Sequence, residues 1–166
     1  MEYLQVFDEN KKALNEKISR DEKYTLHDGK YFMLVLIFIE NKKGEFLLQK
    51  TSKSKGSCIA STGGHVTYGD SSLETVVKEC KEELGIEIPT NNIKYVETIL
   101  YKNCYLDTYY TKMELDPKKL TLQLEEVESV KWYTKEEIAE LIKNNEFREG
   151  NIKPYEMVLD YIKNNK

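Results

Sequence analysis

Three glutamates, Glu79, Glu82 and Glu83, stand at i, i+3 and i+4. On a helix, at roughly 100° per residue, that spacing puts all three on one face. Three like charges so close repel one another, and a helix gains nothing from the arrangement by itself. A divalent cation is the simplest group to offset the repulsion. Carboxylates are hard oxygen donors suited to Mg²⁺ or Mn²⁺, and Mg²⁺ completes its shell with water and substrate phosphate. The trio therefore points to phosphoryl chemistry, against the plainer alternative of a solvated acidic face. Just ahead of it, Gly63, Gly64 and Gly69 let the backbone turn sharply and come close to a ligand. A helix N-terminus also offers unpaired N–H groups to an anion.

These residues need a helix to carry them. Leu73, Val76, Val77, Cys80 and Leu84 recur at steps of three and four, giving one stripe to bury, with the glutamates beside it. Upstream, Tyr31–Glu40 reads as a strand by its Val, Ile and aromatic content. Asn41–Gly44 is a turn and Glu45–Lys50 the returning strand of an antiparallel hairpin. Residues 1–8 read as a short strand and Asp8–Lys12 as a polar turn. Residues 13–30 read as loop, with one extended piece near Tyr24–Leu26. In Thr51–Gly56 and its flank, Lys50, Lys53 and Lys55 either meet a phosphate or are simply solvated. Cys58–Thr62 is a short extended piece leading into the glycines.

Downstream, Ile93–Tyr105 and Thr108–Leu115 read as strands. Their tyrosines at 101, 105, 109 and 110 read as sheet aromatics, with stacking on a base as the alternative. Val127–Tyr133 is a further strand. Thr134 caps a helix with Glu137 three residues on, and a last helix runs from Pro154 to about Asn164. The expectation is one α+β domain over residues 1–166, a mixed or antiparallel sheet with helices on its faces, with residues 1–30 as an N-terminal strand-and-loop extension.

Composition narrows the function. The 166 residues suffice for a sizeable core, and a net charge of -4 argues against a general nucleic-acid binder. The longest apolar run, Tyr31–Ile39, is about half a membrane span. The N-terminus lacks a basic-then-apolar signal pattern. Three widely spaced cysteines, Cys58, Cys80 and Cys104, fit reduced thiols of a cytoplasmic protein better than disulfides or a zinc site. Arginine is scarce: only Arg20 and Arg148 occur among 25 basic residues.

Gly64–Ile86, GHVTYGDSSLETVVKECKEELGI, resembles the Nudix box, G-x5-E-x7-R-E-U-x-E-E-x-G-U, where U is a bulky aliphatic. Gly64, Glu79, Glu82, Glu83, Gly85 and Ile86 fall in register. Asp70 stands for the first Glu, Lys78 for the Arg and Cys80 for an aliphatic. Lys cannot copy the planar fork of Arg. The resemblance implies a Nudix-like α/β/α sandwich with the loop-helix after the central hairpin, and metal-dependent hydrolysis of a nucleoside diphosphate derivative. It implies Glu79 and Glu83 as main metal ligands. Glu82 would be a third ligand or the base that positions water. Gly63 and Gly64 would line the substrate, and Asp70 and Lys78 would orient the glutamates. The partner would be a small-molecule diphosphate, with no nucleic acid or membrane, for a monomer or homodimer.

Residues 3–50, with YLQVFDEN and GEFLLQK, are similar to the Nudix subgroup related to isopentenyl diphosphate isomerase. That makes an isomerase the rival reading. The isomerase's catalytic Cys falls where this chain has Gly63, Cys58 lies five residues too early, and its histidine-rich metal site is matched only by His27 and His65. The resemblance therefore favours hydrolysis. A non-catalytic nucleotide-binding module is the third reading.

Overall fold

A computed structural model describes residues 2–166. Its centre is β3, Phe32–Glu40, whose alternate residues feed two cores. Met33, Val35, Ile37 and Ile39 pack on one face with Val76, Cys80 and Leu84 of the helix α1, Ser72–Leu84. Phe38 and Leu36, with Phe46 and Leu48 of β4 (Phe46–Thr51), pack on the other. There they meet Ile138 of α2, Lys135–Lys143, and Tyr155 and Val158 of α3, Ile152–Asn164. The result is an α/β/α sandwich with a sheet between helices. The expected capping box of Thr134 with Glu137 forms, and Ser71 with Glu74 makes a second one at the start of α1.

The sheet is mixed, as expected, but its pairing differs from a simple hairpin. β3 meets β4 antiparallel at a single register pair, Glu40↔Phe46. Beyond it the strands part. β6, Thr62–His65, takes the edge of β3 from Leu34↔His65 to Ile37↔Thr62. β4 pairs instead with the two-residue β5, Ile59–Ala60, and with β9, Val127–Tyr133. On its other edge β3 runs parallel to β8, Cys104–Lys112, which pairs antiparallel with β7, Lys94–Tyr101. The expected long hairpin ladder is thus replaced by a fork, and the fork opens a cleft. Gly63 and Gly64 lie in a strand and not in the loop that their type suggested.

Two further expectations are corrected. Residues 13–19 form β2, Ala13–Ser19, antiparallel to β1, Tyr3–Phe7, and Arg20–Thr25 is a 3₁₀ turn where loop and an extended piece were expected. β2 is largely exposed, so it lacks the apolar alternation that announces a strand; the ladder with β1 holds it. The β7–β8 turn falls at Lys102–Asn103, with Lys102 at φ 55°. The expected break between residues 105 and 108 lies inside β8, where Asp107 is buried.

That buried aspartate ties the N-terminal hairpin down. Lys11, held at φ 64° in the β1–β2 turn, places its Nζ 2.7 Å from Asp107 Oδ1. The hydroxyls of Thr98 and Ser72 donate to the same carboxylate, each at 2.6 Å. One charge thus joins the β1–β2 turn, β7, β8 and the first residue of α1. Among the described residues, no helix is long and apolar enough to cross a membrane.

Candidate active site

The three glutamates share a helix but not an environment. Glu83 is buried, Glu79 half-buried and Glu82 exposed. Helical spacing fixes their angles about the axis; depth depends on what the sheet places opposite. No group of three or more His, Cys, Asp or Glu side chains is gathered for a metal among the described residues. The expected convergence of the trio is therefore replaced by a pair. Glu79 and Glu83 act on each other, and both titrate above the ordinary carboxylate range. Burial, then the charges of Glu83 and Glu82, push Glu79 up to about 8. Burial pushes Glu83 up to about 7, against a hydrogen bond from Gln49 that favours its charged form. No Lys or Arg forms an ion pair with either carboxylate among the described residues.

The two glycines serve the pair in different ways. A Cβ on Gly64 would lie 2.5 Å from the Glu79 carboxyl carbon, so the absent side chain is the space that Glu79 occupies. A Cβ on Gly63 would run into the backbone oxygen of Val35 and lie 2.7 Å from Leu36 Cδ2. Neither needs an unusual φ; both allow close approach.

Gln49, on β4 across the fork, was read only as part of a strand. It is buried, its Nε2 donates to Glu83 Oε1 at 3.3 Å, and its Oε1 accepts from Thr62 of β6 at 3.3 Å. A polar residue at an inward strand position was the available signal. Glu126, in the acidic run before β9, also faces Glu83, raising its pKa, and pairs with Lys55 at 3.2 Å.

Glu83, Gly63, Gly64, Gln49 and Glu126 line one cavity of about 720 Å³. Its floor is the uncovered end of the sheet, where Leu34, Leu106 and Ile99 stand in one row across β3, β8 and β7. Of the lysines considered for a phosphate, Lys55 lines this cavity, whereas Lys50 pairs with Glu128 on the exposed surface at 3.2 Å. Of the tyrosines, Tyr101 lines it; Tyr105 and Tyr109 are buried, as sheet aromatics should be.

Asp70 and Lys78 do not reach the glutamates' carboxyls. Lys78 Nζ lies 3.5 Å from Asp70 Oδ2, which also accepts from Thr67 at 2.7 Å. The two residues expected to orient the site are paired with each other at the start of α1, and Asp70 lines a separate cavity on that side.

The fold has known counterparts. Residues 30–155 match the NUDIX domain family. A Nudix hydrolase of Listeria innocua, itself uncharacterised, is 30% identical over 151 residues, covering 89% of this chain and 88% of that protein. An isopentenyl-diphosphate Delta-isomerase of Escherichia coli is 34% identical over 73 residues, 40% of each chain. The crystal structure of DR0079 from Deinococcus radiodurans superposes with a TM-score of 0.69 at 20% identity, covering 87% of this chain and 91% of that one; it shares the fold. The chain belongs to the NUDIX domain family. Within it, the chain is a Nudix hydrolase, an enzyme of the pyrophosphohydrolase kind.

Proposed function

We propose that the protein hydrolyses a diphosphate linkage in a nucleoside diphosphate derivative, with Mg²⁺ or Mn²⁺ held by Glu79 and Glu83. The observation that carries this reading is the glutamate pair itself: two neighbouring carboxylates with no ion-paired cation among the described residues, of which Glu83 lines a cavity large enough for a small molecule. Mg²⁺ is commonly held by one or two carboxylates, with water and substrate phosphate completing its shell. The donor set of this pair fits that requirement, and a third carboxylate is not needed. Held by Glu79 and Glu83, a divalent ion would polarise a phosphoryl oxygen and offset the charge that builds as a diphosphate is cleaved.

The chain's own residues do the rest. Gln49 fixes the rotamer of Glu83 and favours its ionised form. Gly64 lets Glu79 lie against β6, beside Gly63, where substrate enters. Glu82 is exposed and keeps an ordinary freedom of motion, which suits it to accept a proton from water. The walls of β4 and β6 hold these groups rigidly on paired strands.

Incubation with nucleotide sugars, dinucleoside polyphosphates, NADH and nucleoside triphosphates, in Mg²⁺ or Mn²⁺, tests the reading. Turnover that Glu83→Gln reduces by about a thousandfold or more supports it. Absence of turnover with every substrate and metal, or turnover untouched by Glu83→Gln, removes it. The isomerase reading predicts solvent isotope exchange into isopentenyl diphosphate. Gly63 at the position of the nucleophile speaks against it, and Cys58 lies outside the strand that carries the glycines.

A further inference from the structure

The chain's only two arginines line the same cavity. They arrive from opposite ends of the sequence, Arg20 from the turn after β2 and Arg148 from the turn before α3. Neither lies in the glutamate motif. In a chain where lysine supplies nearly every positive charge, both arginines belong to the lining of one cavity. A fork that can hold two oxygens at once suits phosphate better than the point charge of an ammonium.

Their surroundings leave them available. Arg148 is half-buried, and its Nη2 donates to the backbone oxygen of Lys55 at 2.7 Å. No carboxylate pairs with it among the described residues. Arg20 makes only a loose contact with Glu2, 3.7 Å across exposed surface. Nearby, Lys23 directs its Nζ to a neutral acceptor, His65 Nε2, at 2.7 Å. Burial and the positive charges of Lys23, Arg20 and Lys55 together hold His65 down to about 3, and Arg20, Lys55 and His65 all line the cavity. In a protein carrying more acids than bases, arginines without a close carboxylate favour an anion from outside. The acids on the lining do not neutralise them: Glu83 faces Gln49, Glu126 is taken by Lys55, and Glu149 forms no ion pair among the described residues.

We propose that Arg20 and Arg148 are the anion-binding residues of this cavity, gripping the phosphate oxygens of a polyanionic substrate that lies between them and the glutamate pair. The proposal rests on the hydrolase reading only for the identity of the ligand as a diphosphate. The selected substrates then carry at least a diphosphate, and a monophosphate, with less charge and fewer oxygens to share between two arginines, binds less tightly. Arg20 comes from the N-terminal extension, outside the matched NUDIX residues, so that extension is a specificity element of the site.

Calorimetric titration in EDTA, at fixed ionic strength, measures this wall without any metal. The probes are inorganic phosphate, pyrophosphate and tripolyphosphate. The intact protein should bind pyrophosphate and tripolyphosphate more tightly than phosphate. Arg20→Gln and Arg148→Gln should each weaken pyrophosphate about tenfold, as expected for a lost charge-assisted contact. Arg148→Lys should recover part of that loss. Lys143→Gln, an equal charge change on exposed α2, should have no effect. Thermal melts of each variant verify folding, and Arg20, being exposed, tests the idea even if Arg148→Gln unfolds. Binding unchanged in Arg20→Gln, an equal loss in Lys143→Gln, or no preference of the intact protein for pyrophosphate overturns the proposal. Arginine-dependent pyrophosphate binding without turnover in the substrate panel sinks the hydrolase reading alone. Turnover with arginine-independent binding sinks this one alone.

Discussion

Replacing Glu79 by Gln should stabilise the metal-free protein at pH 8 while abolishing its activity. Glu79 titrates near 8 in the folded protein against an ordinary 4.5. A carboxyl whose folded pKa is raised contributes its full stability below the unfolded pKa and loses it as pH rises through the folded one. The folded protein therefore weakens between about pH 4.5 and 8, as burial and the neighbouring glutamates resist ionisation. At about 1.4 kcal/mol per unit, the upper bound is near 5 kcal/mol. Glu79 is only half-buried and its titration depends on that of Glu83, so about 2 kcal/mol is the working figure. For a chain of this length that is roughly 4–8 °C in melting temperature. Thermal denaturation in EDTA measures it: Glu79→Gln should melt higher than the parent at pH 8 and at the same temperature at pH 5, where Glu79 already holds its proton. Saturating Mg²⁺ should raise the parent at pH 8 and leave Glu79→Gln largely unmoved. An equal gain at both pH values would refute the reasoning, since the effect would then come from packing and not from ionisation. No gain at pH 8 would refute it as well.

Three other perturbations separate roles that the structure distinguishes. Gly63→Ala meets backbone and should cost about 1–3 kcal/mol in denaturant melts, whereas Gly64→Ala meets only a side-chain end and should reduce turnover more than stability. Lys78→Ala should change stability by less than about 1 kcal/mol, because its contact with Asp70 is exposed; a larger loss would mean that Lys78 reaches further than its ion pair. Lys11→Met strands the buried Asp107 charge and should cost about 3–5 kcal/mol, read from urea unfolding at pH 7, with much of the loss recovered by adding Asp107→Asn.

The sequence reading went furthest where local physics decides the outcome. α1 was legible from its apolar steps alone; the capping Ser71 and Gly85, which holds φ 70° at the helix end, agree with it. It went wrong where elements compete. Nothing in Tyr31–Lys50 tells that β3 and β4 will part after one pair, because β6 and β9 lie elsewhere in the chain and take their edges. The unequal depths of Glu79, Glu82 and Glu83 follow from that fork, and so does the role of Gln49. The Asp70–Lys78 pair was hidden for a related reason. Each residue was matched to a motif position, whereas contact with each other needs the turn at Gly69, at φ 91°, to fold Asp70 back. Arg20 and Arg148 drew attention only as a compositional scarcity; their place on one cavity lining is a property of the fold.

The parallel ladder between β3 and β8 has a consequence for how the molecule is made. It joins Phe32–Glu40 to Cys104–Lys112, and the chain between them holds β4, β6 and all of α1. Pairing so distant in sequence is slow to form, since loop closure precedes the contacts that reward it. A growing chain that has already presented every residue from Gly64 to Ile86 still has no partner for that edge of β3. The uncovered aliphatic row of Leu34, Leu106 and Ile99 is completed only when β8 arrives. The floor of the cavity therefore closes only after β8 has emerged, and the wall that carries Glu126 and Arg148 follows later still.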